Sequence, residues 1–244
     1  MQGTNNGESW SQECKIIGKS TEGKGQIIFE IASNISHEKG YYIGIFDDDI
    51  RIRISDINRA LIIGKKKSFA TFQPSLSRSS YFSHKFTLNC YLKKFLPTSY
   101  NYRYVSWVEI MVPIIKSELL ILSLPFLKNN FSAYGLDCFV FPMLAITNGI
   151  SGGHAVIDAA ICTHLRNITS DKRKFSNGMN AAQELIRVKE DCIEYLLNKD
   201  IKWEKSKKLS LLFQKKVGLK NYLIKLMRKL FKKASIVKSY LKSF

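Results

Sequence analysis

Three consecutive carboxylates, Asp47, Asp48 and Asp49, close the apolar run Tyr41 to Phe46 (YYIGIF). Like charges a few ångströms apart repel, so such a cluster calls for a counter-charge. A divalent cation meets that need, because Mg²⁺ and Mn²⁺ prefer hard oxygens, commonly one or two carboxylates plus substrate phosphates. At the end of a strand residues i and i+2 lie on the same side, so Asp47 and Asp49 can meet one ion. Bound also to a diphosphate, that ion would neutralise charge developing on a leaving phosphate. The alternative is a solvated acidic turn ahead of a helix.

Other chemistry-bearing residues sit in apolar surroundings. Glu109, within VSWVEIM, needs a partner or an open cleft, because an isolated buried carboxylate costs several kcal/mol. It suits either a contact with a substrate hydroxyl or a salt bridge inside the fold. Asp158 in HAVIDAAIC invites the same two readings, with the structural one favoured. Trp107 is read first as core and second as a stacking platform at a strand end. His37 and His84 are read as surface residues.

The elements that must position these groups follow from pattern. A short helix is expected from Gln26 to Asn34, then a strand over Tyr41–Phe46 that ends where the acids begin. Ser55 is expected to cap a helix over Asp56–Ile63, with Lys65 to Lys67 turning the chain into a strand Phe69–Phe72 closed by Gln73-Pro74. Val105 to Met111 has strand composition and is stopped by Pro113. A helix should run from Lys116 towards Asn129, kinked or shortened by Pro125. Tyr134-Gly135-Leu136-Asp137 reads as a turn, Gly149 to Gly153 as a flexible loop and His154 to Cys162 as a strand. Asn177 is expected to cap a helix to Asn198, whose apolar residues Met179, Ala182, Leu185, Ile186, Ile193, Leu196 and Leu197 fall mostly on one face. No internal repeat is visible. Strands alternating with helices imply an α/β fold with a mixed, mainly parallel sheet covered on both faces, and ligands in such folds bind at the carboxyl ends of strands.

The 244 residues are 45% apolar, enough for a real core, and carry a net charge of +18 that favours anionic partners. Thirteen of those net charges lie in the last 46 residues, where fifteen Lys or Arg face two acids. From Leu219 onward Tyr222, Leu223, Leu226, Leu230, Ala234 and Val237 recur at helical spacing among the lysines. An apolar stripe on a cationic helix is the pattern of a helix lying on an anionic bilayer surface. Nucleic acid is disfavoured, since no recognisable binding module is present. A solvated helix covering the body remains the plain alternative.

The longest apolar region, Val105 to Leu127, is interrupted by Glu109, Lys116, Glu118 and two prolines, which excludes a clean span of ~20 apolar residues. Met1 to Trp10 lacks the order of a signal peptide. Five cysteines at 14, 90, 138, 162 and 192 show no metal-ligand spacing and are odd in number, so reduced thiols in a cytoplasmic setting are expected.

The ordered series YYIGIFDDDI, FATFQPSLS, WVEIMVPII, NNFSAYGLDCFVF and HAVIDAAICTH resembles a family of unknown function that includes plant proteins labelled lysine-ketoglutarate reductase trans-splicing related. That family is similar to glycosyltransferases of the GT-A fold, and the resemblance covers roughly Gln26 to Ile168. It implies that an Asp-rich motif binds metal and the diphosphate of a nucleotide-sugar donor. Asp47 and Asp49 are then metal or diphosphate ligands, Asp48 a ribose or sugar contact or a third carboxylate, and His164 the residue that completes the shell of a Mn²⁺ or Mg²⁺ ion. A hydrogen-bonded strand-end histidine is the equal alternative for His164.

Asp137 is the implied general base for an acceptor hydroxyl, or else a turn cap. Glu109, Trp107 and Tyr134 form the acceptor side, with Tyr134 standing where the family has Trp before Gly-Leu-Asp. Only 46 residues precede Asp47, fewer than a GT-A domain uses to grip the nucleotide base. The expected organisation is therefore a loosely held segment over residues 1–26, an N-terminally shortened GT-A-like domain over 27–198 and a basic amphipathic tail over 199–244. The implied activity is sugar transfer from a nucleotide diphosphate donor to a glycan or lipid-linked acceptor, peripheral on the inner face of a membrane. The alternative is a truncated or degenerate GT-A-like module, docked on the membrane without turnover.

Overall fold

The structure is a computed structural model that describes residues 23–34, 40–90, 101–167 and 173–199. The segment 1–22, His37 and the basic helix expected from Leu219 lie outside the described residues.

Within them the chain is mixed α/β. It runs α1 (Lys24–Asn34), β1 (Tyr42–Gly44), β2 (Ile50–Ile52), α2 (Ile54–Lys67), β3 (Thr71–Leu76), a 3₁₀ turn (Lys85–Thr87), β4 (Arg103–Val105) and β5 (Ile114–Lys116). It continues through α3 (Ser117–Leu122), α4 (Leu124–Leu127), a π turn (Leu136–Val140), α5 (Phe141–Asn148), β6 (His154–His164) and α6 (Ala181–Leu197). Six strands form one mixed sheet in the order β1-β5-β3-β6-β2, with β4 also on β6.

The β3–β6 ladder is parallel, whereas β1–β5, β3–β5, β2–β6 and β4–β6 are antiparallel. The expectation of a mainly parallel sheet is thereby corrected. The physical reason lies in α2: it connects β2 to β3, but β6 is inserted between those two strands, so the strand-helix-strand unit is not a simple crossover between neighbours. The eleven-residue β6 organises the layer, since its first residues pair with β4 and its last with β2.

Several boundaries move for identifiable reasons. Arg53, not Ser55, is the N-cap of α2, and the three lysines expected to form a turn complete its last turn, where cations complement the helix dipole. The helix stops at Ser68, in the left-handed region at φ 53. β3 runs on through Pro74 because the register against β6 shifts between Pro74 and Ser75, and a bulge is where a strand tolerates a proline. The run expected to be a strand over Val105–Met111 leaves the sheet after Val105. Pro125 acts as expected and lies in the first turn of α4, so the long helix is split at Ser123. Asn180, paired with Gln183 in a capping box, replaces Asn177 as the cap of α6.

The sheet is covered on both faces. Ile114 packs with Ala60, Phe69, Phe72 and Ile157 on the α2 side, while its neighbour Ile115 packs with the helical layer that includes Leu119, Leu127, Leu136, Phe141, Val188 and Leu196. Alternation along a strand produces this division. Gly64 lets α2 approach closely, since a Cβ there would lie 2.2 Å from the Phe72 ring.

Candidate active site

The acidic turn is held by its backbone. Ile45 N–H donates to Pro113 O at 2.9 Å and Asp47 N–H to Met111 O at 3.0 Å, so the segment after β1 is tied to the one before β5. Ile50 N–H returns to Asp47 O at 3.1 Å, and Leu165 N–H reaches Asp49 O at 3.0 Å. Pinned in this way, the three acids part company. The Asp48 side chain is 79% exposed and pairs with Arg166 at 3.2 Å, apart from the residues that line the cleft. Asp49 is only 12% exposed, its Oδ2 lying 3.2 Å from His164 Nε2. Register produces that meeting, because Ile50 pairs with His164 across β2 and β6.

His164 Nδ1 lies 3.1 Å from Tyr81 O, and a carbonyl can only accept, so Nδ1 carries the hydrogen. The remaining ring nitrogen faces a carboxylate, and the second oxygen of that carboxylate, Asp49 Oδ1, is buried without a hydrogen-bond partner. A histidine whose far nitrogen donates to a backbone carbonyl is oriented as metal-ligating histidines are. Asp49 and His164, two of the three ligands expected for an ion, thus face one another. Asp47, expected as a further ligand, is engaged elsewhere. Among the described residues no group of three or more His, Cys, Asp or Glu side chains is placed to hold a metal.

Asp47 Oδ1 is bonded by Lys24 Nζ, which also donates to Ile110 O. Lys24 opens α1, and the helix is seated by Gly25, whose N–H donates to Phe131 O at 2.8 Å. No side chain fits there, since a Cβ on Gly25 would lie 1.9 Å from Asn130 O. Burial pushes the Lys24 ammonium below its ordinary value, against the carboxylates of Asp47, Asp137 and Asp49, which favour its charge.

The facing wall is the loop leading into the π turn. Buried Glu184, from α6, accepts from Phe131 N–H at 3.0 and 3.1 Å, from Ser132 N–H at 2.7 Å and from Asn177 Nδ2 at 2.7 Å. Asn130 accepts from Ala133 N–H at 2.7 Å and donates to Tyr134 O at 3.1 Å. The loop turns through Ala133 at φ 64 and Gly135 at φ 89. A Cβ on Gly135 would also come within 2.9 Å of Val188, so glycine is required there by conformation and by space. These contacts bring half-exposed Tyr134 and Asp137 to the cleft, and one Asp137 oxygen accepts from Cys138 N–H at 2.7 Å.

Aromatic rings form a further side. His84 stands edge-on to Trp107 at 4.7 Å and stacks on Phe86 at 5.6 Å, while its Nε2 lies 4.0 Å from Glu109 Oε1. Gln73 Oε1 accepts from Glu109 N–H at 2.6 Å and so fixes the backbone beneath that carboxylate.

The resulting cleft has a volume of about 480 Å³ and is lined by Asp47, Trp107, Glu109, Tyr134, Asp137 and His164, with His84 and Cys138 between them. That volume lies in the range of small-molecule sites. Six of the eight expected site residues thus share one cavity; Asp49 sits behind His164 and Asp48 points away. His84, expected on the surface, keeps 43% of its side chain exposed and also lines the wall. Asp158 is structural, bound by Arg103 at 2.7 Å and by Cys90 N–H at 3.1 Å. Lys24 and Glu184 were not singled out from the sequence: nothing in KGQIIFEIASN or AAQELIRVKE marks either as reaching a distant loop. The described cysteines, 90, 138, 162 and 192, are free thiols.

Comparison with models of known protein families finds no match, and comparison with curated proteins finds none.

Proposed function

We propose that this chain is a glycosyltransferase-like protein that moves a sugar from a nucleotide diphosphate donor to a glycan or lipid-linked acceptor, assisted by Mn²⁺ or Mg²⁺. The observation that carries the reading is the convergence, from separate stretches of chain, of Asp47, His164, Asp137, Glu109, Trp107 and Tyr134 on a single cleft. Acid groups and aromatic rings lining one cleft suit a phosphate-bearing donor and a hydroxyl-rich acceptor.

A divalent ion on Asp49 and His164 would supply positive charge against the leaving diphosphate. Asp137 takes the proton of the attacking hydroxyl. Glu109, with its backbone fixed by Gln73, accepts from a second acceptor hydroxyl. Trp107 and Tyr134 hold the apolar face of a sugar. Donor binding tests the proposal: calorimetric titration with UDP- and GDP-sugars, with and without Mn²⁺, is expected to give metal-enhanced binding. An intact, folded chain that binds none of them in either condition ends the proposal.

A second reading is favoured by the engagement of Asp47 with Lys24 and of Asp137 with Cys138 N–H. Under it the chain keeps the cleft without turnover and serves as a membrane-docked interaction module. Asp47→Asn and Asp49→Asn would then leave a cellular glycan phenotype unchanged. Both readings place the basic tail on an anionic membrane surface at the cytoplasmic face. No helix among the described residues is long and apolar enough to cross a membrane.

A further inference from the structure

α2 and α6 cover opposite faces of the sheet: Ala60 packs with Phe72 and Ile157, while Val188 and Leu196 belong to the other layer. Their charges are opposite as well. From Arg53 to Lys67 there are five Lys or Arg and one acid, whereas Ala181–Leu197 has two Lys or Arg and four acids. The one acid of the first set, Asp56, is paired with Arg59 at 3.3 Å. Helical spacing puts Ile54, Asn58, Arg59, Ile62, Lys65 and Lys66 opposite Ala60 and Gly64, which meet the sheet, and all six are exposed. Ile54 and Ile62 keep 70% and 68% of their surface in solvent. Lys67 extends the patch towards β4, its ammonium lying 5.5 Å from the centre of the Tyr102 ring. Exposed Tyr104 stands edge-on to Tyr102 and to Phe69.

We infer that the outer face of α2, with Tyr104 at its margin, is a second contact with an anionic membrane, and that the body docks with α2 towards the bilayer and α6 away from it. Headgroups meet the cations, the aliphatic side chains enter the interface, and tyrosine lies at headgroup depth. Isoleucine offers no ring on which a nucleobase stacks, so the same cations suit lipid better than a nucleic acid strand. The acidic α6 is repelled by the lipids that attract α2, which fixes the orientation. The inference rests on the reading of the basic tail as membrane-bound. A patch of this size is marginal alone, since stable anchoring takes two signals. Once the tail has brought the body to the surface, the second contact forms within one molecule.

Lysine acylation of the full chain, read by peptide mass spectrometry, tests this with phosphatidylserine vesicles, phosphatidylcholine vesicles and a single-stranded oligonucleotide at matched salt. Phosphatidylserine is expected to lower labelling of Lys65, Lys66 and Lys67 several-fold and to leave exposed Lys128, at the end of α4 in the other layer, unchanged. Phosphatidylcholine is expected to protect none of them. Lys65→Gln with Lys66→Gln, at exposed positions that leave the core intact, is expected to weaken vesicle partitioning of the full chain roughly tenfold. Lys128→Gln is expected to leave it unchanged. Protection of lysines beyond Lys199 without Lys65 to Lys67 overturns the inference and leaves the tail on the membrane; protection at neither place overturns both. Equal protection of Lys128 overturns it too, as does stronger protection of Lys65 to Lys67 by the oligonucleotide than by vesicles. Nucleotide-sugar binding, measured separately, is expected to be unchanged in the double variant, so the sugar-transfer proposal stands or falls by its own titration.

Discussion

His154 begins β6 as a buried residue, its Nδ1 2.7 Å from Thr71 Oγ1, and burial pushes its imidazolium down to about 4. The folded state therefore resists a proton that the unfolded chain accepts at its ordinary 6.5. Stability contributed by neutral His154 is complete above the unfolded value and falls as acidification proceeds towards the folded one. Between pH 7 and pH 4.5 the wild type is expected to lose on the order of 2–3 kcal/mol through this group. His154→Gln, which keeps a partner for Thr71, is expected to lose correspondingly less. Urea denaturation of both proteins at the two pH values checks this, and parallel losses would remove His154 as the cause. Its place in the sheet, against a parallel neighbour and away from the cleft, makes it a sensor of folding with no part in the chemistry proposed for His164.

At the scale of elements, α6 does more for the site than its apolar stripe suggests. Glu184 →Ala would leave the Phe131 and Ser132 amides without their acceptor, at roughly 1–3 kcal/mol for each unsatisfied group. The loop carrying Tyr134 and Asp137 would loosen with them. A lowered denaturation midpoint, together with nucleotide-sugar binding weakened more than Mn²⁺ binding, is the expected outcome. Glu184→Gln retains one acceptor oxygen and should lie between.

This arrangement also marks where reading by pattern stops. The helix was visible in its periodicity, and β6 in its β-branched run, because local pattern carries both. The acidic run drew attention as three adjacent like charges, yet β1 stops at Gly44, short of them, where a strand to Phe46 was expected. A buried glutamate reaching back more than fifty residues to two amides, or a lysine opening a helix and reaching an aspartate 23 residues on, leaves no periodic trace. Sheet direction was misread for a related cause. Alternating elements suggest crossovers, but only the pairing of β6 between β2 and β3 decides which strands are neighbours.

For the molecule as a whole, the charge distribution separates a body from a tail that holds thirteen of the eighteen net charges. Each Lys or Arg near an anionic surface contributes about 1 kcal/mol, and screening removes much of this as salt rises. The full chain is expected to sediment with phosphatidylserine vesicles at low salt and to be released at roughly 0.5 M salt. A chain ending at Lys199 should stay in solution throughout. Oligonucleotide binding stronger than vesicle binding at matched salt would redirect the tail to nucleic acid.

The long strand β6 touches three others, β3 along one edge and β4 and β2 in turn along the other. Its amide hydrogens should be among the slowest in the protein to exchange with deuterium, because freeing them means undoing several ladders together. His164 sits at the end of that strand, whereas Lys24 and Asp137 belong to the helical layer. The cleft is thus walled on one side by a strand laddered along both edges and on the other by helices and the loops between them. A ligand bound between them should slow exchange chiefly in the helical layer, leaving the already protected strand little changed.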